Sequence, residues 1–511
     1  MFGLAFPVTA EVSLPAIIGS NMALQADKPV PIWGRAEPQE TVRVHFRDRE
    51  YLTVANADGA WEVTLPAMTA DGNGAELKVV GETNELILTN VIVGEVWLCS
   101  GQSNMGWRVE QSDDAEREIA AAQYPSIRLF TVKRAIAEDG PQWDCAGEWV
   151  ECSPATVGKF SAAGYFMGRD LHQTLERPVG LIHSSWGGTK AKVWLPREAI
   201  DSRPELQVIA EAWDRELADY PRAKAEFDAA LPQMEAEWEE RATAARAAGK
   251  APPATPRLRT GPHSQYVPTA LYNAMIAPLA PFALRGFFWY QGESDVGAPQ
   301  LYAETLVALV QSWRAAWRGQ TMPFVCVQLP NLYRQPEPTR SGWPELREAQ
   351  LKLRQLPGTA LVVTIDIGEP GDIHPTQKQP VGRRAALAAQ GLAYGADPAE
   401  VFSPQPTATI RRDQAVRIEF KHTAGGLRVS GSGAVTGFEV ADADRVFRPG
   451  RARIEGDAVI VSHPDMTDPV AVRYAWADNP ECNLVSGSGL PATPFRTDDW
   501  STLATVAHEL R

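Results

Sequence analysis

The sequence contains no apolar run near the ~18 residues that span a bilayer, and it lacks an excess of basic charge. Against 63 Asp+Glu stand 49 Lys+Arg, a net charge of −14. A membrane-spanning segment is therefore not expected, and neither is the basic stripe that would neutralise nucleic-acid phosphates. Cysteine is scarce, with five in 511 residues (Cys99, Cys145, Cys152, Cys326 and Cys482). No two show the C-x-x-C spacing that converges two thiols in zinc fingers and thioredoxin-like redox sites. Cys145 and Cys152 are close enough to bridge a tight loop in an exported protein, although the odd total leaves at least one thiol free and a buried inert cysteine is the plainer reading of most. Residues 1–10 are mildly apolar but carry no basic segment, so no signal peptide is read there. Internal repeats are absent.

What is present is ordinary globular composition, 44% apolar and 22% charged, in a chain long enough for two or three domains with their own cores. Tryptophan is plentiful at 16. Its broad faces suit either packing between β-layers or stacking on sugar rings.

Three regions are expected. Residues 1–90 alternate apolar and polar positions, as in Val42, Val44 and Phe46 and again in Trp61, Val63 and Leu65 after the turn formers Asn56 to Gly59. This predicts a module resembling a β-sandwich or jelly roll. From residue 91 to about 396 the apolar runs become continuous: Val96-Trp97-Leu98-Cys99, Val179-Gly180-Leu181-Ile182, Phe287-Phe288-Trp289-Tyr290, Phe324-Val325-Cys326-Val327 and Leu361 to Ile365. Helical patterns separate them, a βαβα alternation that predicts an α/β unit whose parallel sheet is covered on both faces. A charged Ala/Glu/Arg-rich stretch within 201–256, closed by prolines, reads as an inserted helical hairpin. Strand patterns return over 397–511, forming a C-terminal β-region that is expected to pack with the N-terminal one.

Four loops at strand ends, where α/β sheets hold their ligands, carry chemistry. In Cys99-Ser100-Gly101-Gln102-Ser103-Asn104-Met105, small residues after a buried strand let Ser103 stand on a sharp turn as a nucleophile with its own N–H beside it. Met105 in place of a glycine makes this a poor G-x-S-x-G elbow, and an ordinary Ser/Asn turn is the alternative. Ser184-Ser185-Trp186-Gly187-Gly188-Thr189 offers glycine N–H groups, or simply a tight turn. Trp289-Tyr290-Gln291-Gly292-Glu293-Ser294 offers a Gln291 side-chain donor and a Glu293 carboxylate that either binds ligand or ties loops. Gly371-Asp372-Ile373-His374-Pro375 places one of only eight histidines beside an aspartate, so His374 is a candidate general base oriented by Asp372.

These four stretches, in this order, resemble the SGNH-type carbohydrate esterases and, within them, the sialate O-acetylesterase-like family. Asn21-Met22-Ala23-Leu24-Gln25 with Pro29 to Gly34, Leu271 to Leu279 and Arg473 to Pro480 extend the resemblance over nearly the whole chain except the 204–256 insert. It implies an SGNH-hydrolase, flavodoxin-like parallel sheet, a catalytic triad of Ser103, Asp372 and His374, and an oxyanion hole built from Ser103, Gly188 and Gln291. The wider superfamily's D-x-x-H is shortened here to Asp372-x-His374, as in the closer family, which leaves Asp366 or Glu369 as substitutes. Its oxyanion asparagine is missing after Gly292, which leaves Gln291; Gly187 is an alternative to Gly188.

The expected activity is removal of O-acetyl groups from a sugar, with no metal or organic cofactor. Trp107, Trp186 and Glu293 are the expected sugar contacts, the tryptophans also being candidates for the core. Two substrates fit the resemblance: 9-O-acetyl sialate and acetylated plant polysaccharides such as xyloglucan or xylan. The acidic balance offers no attraction to anionic sialic acid. Export to the periplasm or medium is implied by such substrates. A glycosidase using Glu293 and Asp372 as its carboxylate pair is one competitor, and a non-catalytic carbohydrate-binding protein is the other.

Overall fold

The computed structural model describes residues 11–249, 252–253, 255–258, 261–319, 321–332 and 342–501. The N-terminal residues from which a leader would be read, and part of the proline-rich stretch, lie outside them.

Seven strands form the main path of an eleven-stranded sheet. Their spatial order is Thr359–Val362, Phe324–Val327, Gly286–Tyr290, Glu85–Gly101, Val179–Ser185, Tyr124–Thr131 and Trp149–Cys152. All neighbours pair in parallel except the last, which runs antiparallel to Tyr124–Thr131. Without the two strands at that edge, the remaining five follow the flavodoxin order 2-1-3-4-5.

The continuous apolar runs arise because successive side chains serve opposite faces of this sheet. Val96, Leu98, Phe287, Trp289, Phe324 and Cys326 pack on one face with Leu306 and Trp313 of helix Pro299–Ala316 and Leu346 of helix Trp343–Gln350. Trp97, Cys99, Phe288, Tyr290, Val325 and Val327 pack on the other with Phe166 of helix Ala162–Leu175 and Ala385 of helix Lys378–Ala393. Ser161 caps helix Ala162–Leu175, its hydroxyl accepting the Gly164 N–H at 3.1 Å.

Several expectations are corrected. The boundary expected after residue 90 falls inside one 17-residue strand, Glu85–Gly101. Its first half pairs antiparallel with Asp71–Val80, and Ala23–Gln25 pairs parallel with its middle. The N-terminal β-structure therefore shares the main sheet and a single core with it rather than forming a separate sandwich. The expected hairpin is a single helix, Gln207–Ala247, that contains Pro221 and Pro232. The chain after it runs back alongside: Trp238 Nε1 donates to the Pro253 carbonyl, and the Glu216 carboxylate accepts the Gly261 N–H. All five cysteines are free thiols, so Cys145 and Cys152 are not bridged. Beyond residue 397 two four-stranded antiparallel sheets bury Val416, Ile418 and Val459 against Phe438, Val472 and Tyr474. That core takes in Val363 and Ile365 of the α/β unit and, among the described residues, none of the N-terminal β-structure.

Candidate active site

Strand register brings three of the four loops to one level. Gly101 lies between Ser185 on one neighbouring strand and Tyr290 on the other, so Ser103, Trp186 and Gln291 leave the sheet at the same edge. The first turn is tight. Gly101 has φ +142°, and a Cβ there would stand 2.1 Å from the Tyr290 carbonyl oxygen, so only glycine fits. Gln102 N–H donates to that carbonyl at 3.1 Å, and Trp186 N–H donates to the Gly101 carbonyl at 3.2 Å. Ser103 then opens the short helix Ser103–Gly106, half-buried. Gly187 packs against it: a Cβ on Gly187 would meet the Ser103 Cβ at 3.2 Å. Gly188 adopts φ +75°, and a Cβ on it would lie 3.9 Å from the Tyr266 hydroxyl.

The fourth loop follows strand Thr359–Val362. His374 stacks on Trp107, with ring centroids 5.2 Å apart and planes 13° from parallel. Trp107 is in turn anchored by its Nε1–H to the Gln111 carbonyl at 3.0 Å. The Asp372 carboxylate accepts the His374 backbone N–H at 2.8 Å, and its oxygen lies 3.9 Å from His374 Nδ1. The Asp372 side chain is 59% exposed. The two substitute carboxylates are committed elsewhere: Asp366 pairs with Arg384 through two contacts of 2.6 Å, and Glu369 accepts from the Thr376 N–H and hydroxyl. Burial holds His374 below the ordinary histidine pKa, with Lys378 pushing the same way and Asp372 opposing.

Two expected roles are not supported by the geometry. Gln291 is fully buried, and its Nε2 donates to the Thr189 carbonyl at 3.1 Å and to Asp295 at 2.6 Å. Both amide protons are thereby committed, so neither points at an oxyanion. Glu293 is buried beneath the loops and accepts from Asn104 Nδ2 at 2.5 Å, which makes it a tie between loops rather than a sugar contact. Burial raises its carboxyl pKa, an effect that Asn104 and Lys378 partly offset. Trp107 and Trp186 are half-buried, and the Arg134 guanidinium lies 5.6 Å over the Trp186 ring. In contrast, Trp97, Trp194, Trp289, Trp313 and Trp343 are wholly in the core.

Two residues that the motif reading passed over join the site. Asn104 Nδ2 also donates to the Ile373 carbonyl at 2.9 Å, and its Oδ1 accepts from Lys378 Nζ at 2.7 Å. Asn104 stood next to Ser103 in a motif already singled out. Lys378 carried no signal in the sequence beyond standing four residues after His374. Among the described residues no cluster of His, Cys, Asp or Glu is arranged to hold a metal ion.

Residues 260–390 match the family model described as carbohydrate esterase, sialic acid-specific acetylesterase. The sialate O-acetylesterase of Rattus norvegicus is 31% identical over 94% of this chain and 93% of its own length, and that of Mus musculus is 29% identical over 97% of each. The crystal structure of a carbohydrate acetylesterase from Xanthomonas citri superposes with a TM-score of 0.80 at 35% identity, covering 96% of this chain and all of that one. With the likeness running nearly end to end in both sequence and structure, the chain belongs to the sialate O-acetylesterase family of carbohydrate esterases and is an acetylesterase.

Proposed function

We propose that the protein hydrolyses O-acetyl esters on a sugar through an acetyl-enzyme on Ser103. The observation that carries this reading is the convergence at Ser103, where Gly187 packs on its Cβ while its neighbour Asn104 holds the peptide just before His374. Ser103 Oγ attacks the acetyl carbonyl and gives its proton to His374. The oxyanion is held by the Ser103 N–H and an N–H of the Gly187-Gly188 pair. The C–O bond to the sugar then breaks, and the imidazolium returns the proton to the departing alkoxide. Water next attacks the acetyl-enzyme, His374 takes a proton from it, and acetate leaves as Ser103 is restored. Asp372 favours the imidazolium through its charge.

The substrate is an acetylated carbohydrate outside the cytoplasm, met in the periplasm or after secretion. Among the described residues no helix is long and apolar enough to cross a membrane. The names of the rat and mouse relatives favour a sialate ester, and Arg134 beside Trp186 supplies a cation for its carboxylate. The net charge of −14 favours a neutral polysaccharide such as xyloglucan or xylan. Acetate release from acetylated sialosides, xylan and xyloglucan decides between them. For the chemistry itself, Ser103→Ala is expected to lower turnover of p-nitrophenyl acetate by about 10⁴-fold or more; unchanged turnover would remove the mechanism. A glycosidase using Glu293 is disfavoured, because that carboxylate is bonded to Asn104 below the site.

A further inference from the structure

We propose that Lys378 and Asn104 form a buried positioning couple that sets the pose of His374 against Ser103, in place of a tight Asp372–imidazole hydrogen bond. The proposal rests on the reading of Ser103 and His374 given above. Both members of the couple are completely buried. The amide of Asn104 makes three bonds at once: Oδ1 accepts from the Lys378 ammonium at 2.7 Å, and Nδ2 donates to Glu293 at 2.5 Å and to the Ile373 carbonyl at 2.9 Å. A cation on one side and a carboxylate on the other leave the amide a single orientation. In that orientation it pins the peptide preceding His374 to the turn that carries Ser103.

Lys378 also reaches the other contact of the imidazole. Its Nζ stands 5.9 Å over the Trp107 ring, on which His374 stacks, and 5.4 Å over the Tyr290 ring. A desolvated ammonium on these π-faces holds the indole in place as well as the amide. Asp372 is poorly placed for the same task. It is exposed, its oxygen already accepts the His374 backbone N–H, and that oxygen lies 3.9 Å from Nδ1. The charged groups acting on His374 are Asp372 from its own loop and Lys378 from helix Lys378–Ala393; Glu293, Glu369 and Asp372 in turn act on Lys378. Burial pushes the Lys378 pKa down to about 7, against the pull of those carboxylates.

The test uses the full chain carrying Lys378→Met together with Glu293→Gln. Methionine keeps the linear apolar stem, and glutamine avoids leaving a buried carboxylate unpaired. The expected result is a fall in kcat for p-nitrophenyl acetate of about tenfold or more, with KM within about twofold. The acidic limb of kcat/KM should also move to higher pH, because a cation that disfavoured imidazolium has gone. A folded double variant with unchanged kcat and an unmoved limb overturns the proposal. Should that variant not fold, Asn104→Ala decides, since it leaves Lys378 and Glu293 free to pair with each other while removing the bond to the Ile373 carbonyl. A fall in kcat of about tenfold with KM held is expected, and unchanged kcat overturns the proposal. Ser103→Ala keeps the two layers distinct. Full turnover in that variant sinks the esterase mechanism, while an inactive Ser103→Ala beside an unaffected double variant removes only the positioning couple.

Discussion

Half-buried His374 and buried His183 are both held below the ordinary histidine pKa by desolvation, with different consequences. For His374 the consequence is activity. In the proposed mechanism its neutral imidazole is the base, so the acidic limb of kcat/KM should lie below the ~6.5 of a free histidine. For His183, whose Nε2 sits 2.7 Å from the Ser185 hydroxyl, the consequence is stability. Burial pushes its pKa down to about 4, while the unfolded chain titrates near ~6.5. Between these values the unfolded state binds more protons, so the contribution is complete above ~6.5 and is lost as pH falls toward 4. About 3 kcal/mol of stability should disappear across that window. Urea unfolding of wild type and His183→Gln from pH 7 to pH 4 checks this, since the variant should lose the slope. Ser103 and His374 were legible in the sequence as candidates because a serine after a buried strand and a rare histidine beside an aspartate stand out locally. Asn104 and Lys378 did not, since their bonds form only when residues about 270 positions apart meet. Gln291 and Glu293 were legible as polar groups at a strand end, but which way each side chain points depends on Asp295 and Asn104, and the motif does not encode that.

Strand Glu85–Gly101 shows how a correct pattern can yield a wrong boundary. Its burial alternates over the first six residues and is unbroken over the last eleven. The change of period at residue 91 was read as a junction between modules; physically it marks where one strand passes from a sheet with one solvated face into a sheet covered on both. The parallel strands and their helices were legible for the same reason, because burial on both faces writes a long apolar run. Helix Gln207–Ala247 was misread as a hairpin because its prolines read as a break, whereas they lie within one helix and the return contacts come from Pro253 and Gly261 beyond it. The strand's end makes a sharp prediction. In Gly101→Ala the new methyl would meet backbone rather than a movable side chain, so about 2–3 kcal/mol or more of destabilisation is expected. A loss of turnover should accompany it, read as a lowered melting temperature together with lowered kcat.

At the scale of the molecule, the C-terminal sheets are joined to the catalytic unit through Arg347, a fully buried guanidinium on helix Trp343–Gln350. It donates to the carbonyls of Leu329 and Pro330 on one side and of Ala477 and Asp478 on the other. Asn479 bonds Asn331 at 2.7 Å, and the Asn331 side chain accepts the Gly368 N–H at 2.6 Å, which carries the connection into the loop bearing Asp372 and His374. The Arg473 to Pro480 stretch, noticed in the sequence only as a likeness, thus buttresses the loop that carries Asp372 and His374. Arg347→Met leaves those carbonyls short of donors and should cost about 3 kcal/mol or more, measured by denaturant unfolding, with turnover falling as the loop loosens. The central claim, that acetyl passes through Ser103, is tested most directly by quenching the enzyme with acid during turnover of p-nitrophenyl acetate and mapping the acetylated peptide by mass spectrometry. The account predicts an acetyl group on Ser103 that is absent from Ser103→Ala; full turnover with no acetyl-enzyme, or with the acetyl group on another residue, would contradict it.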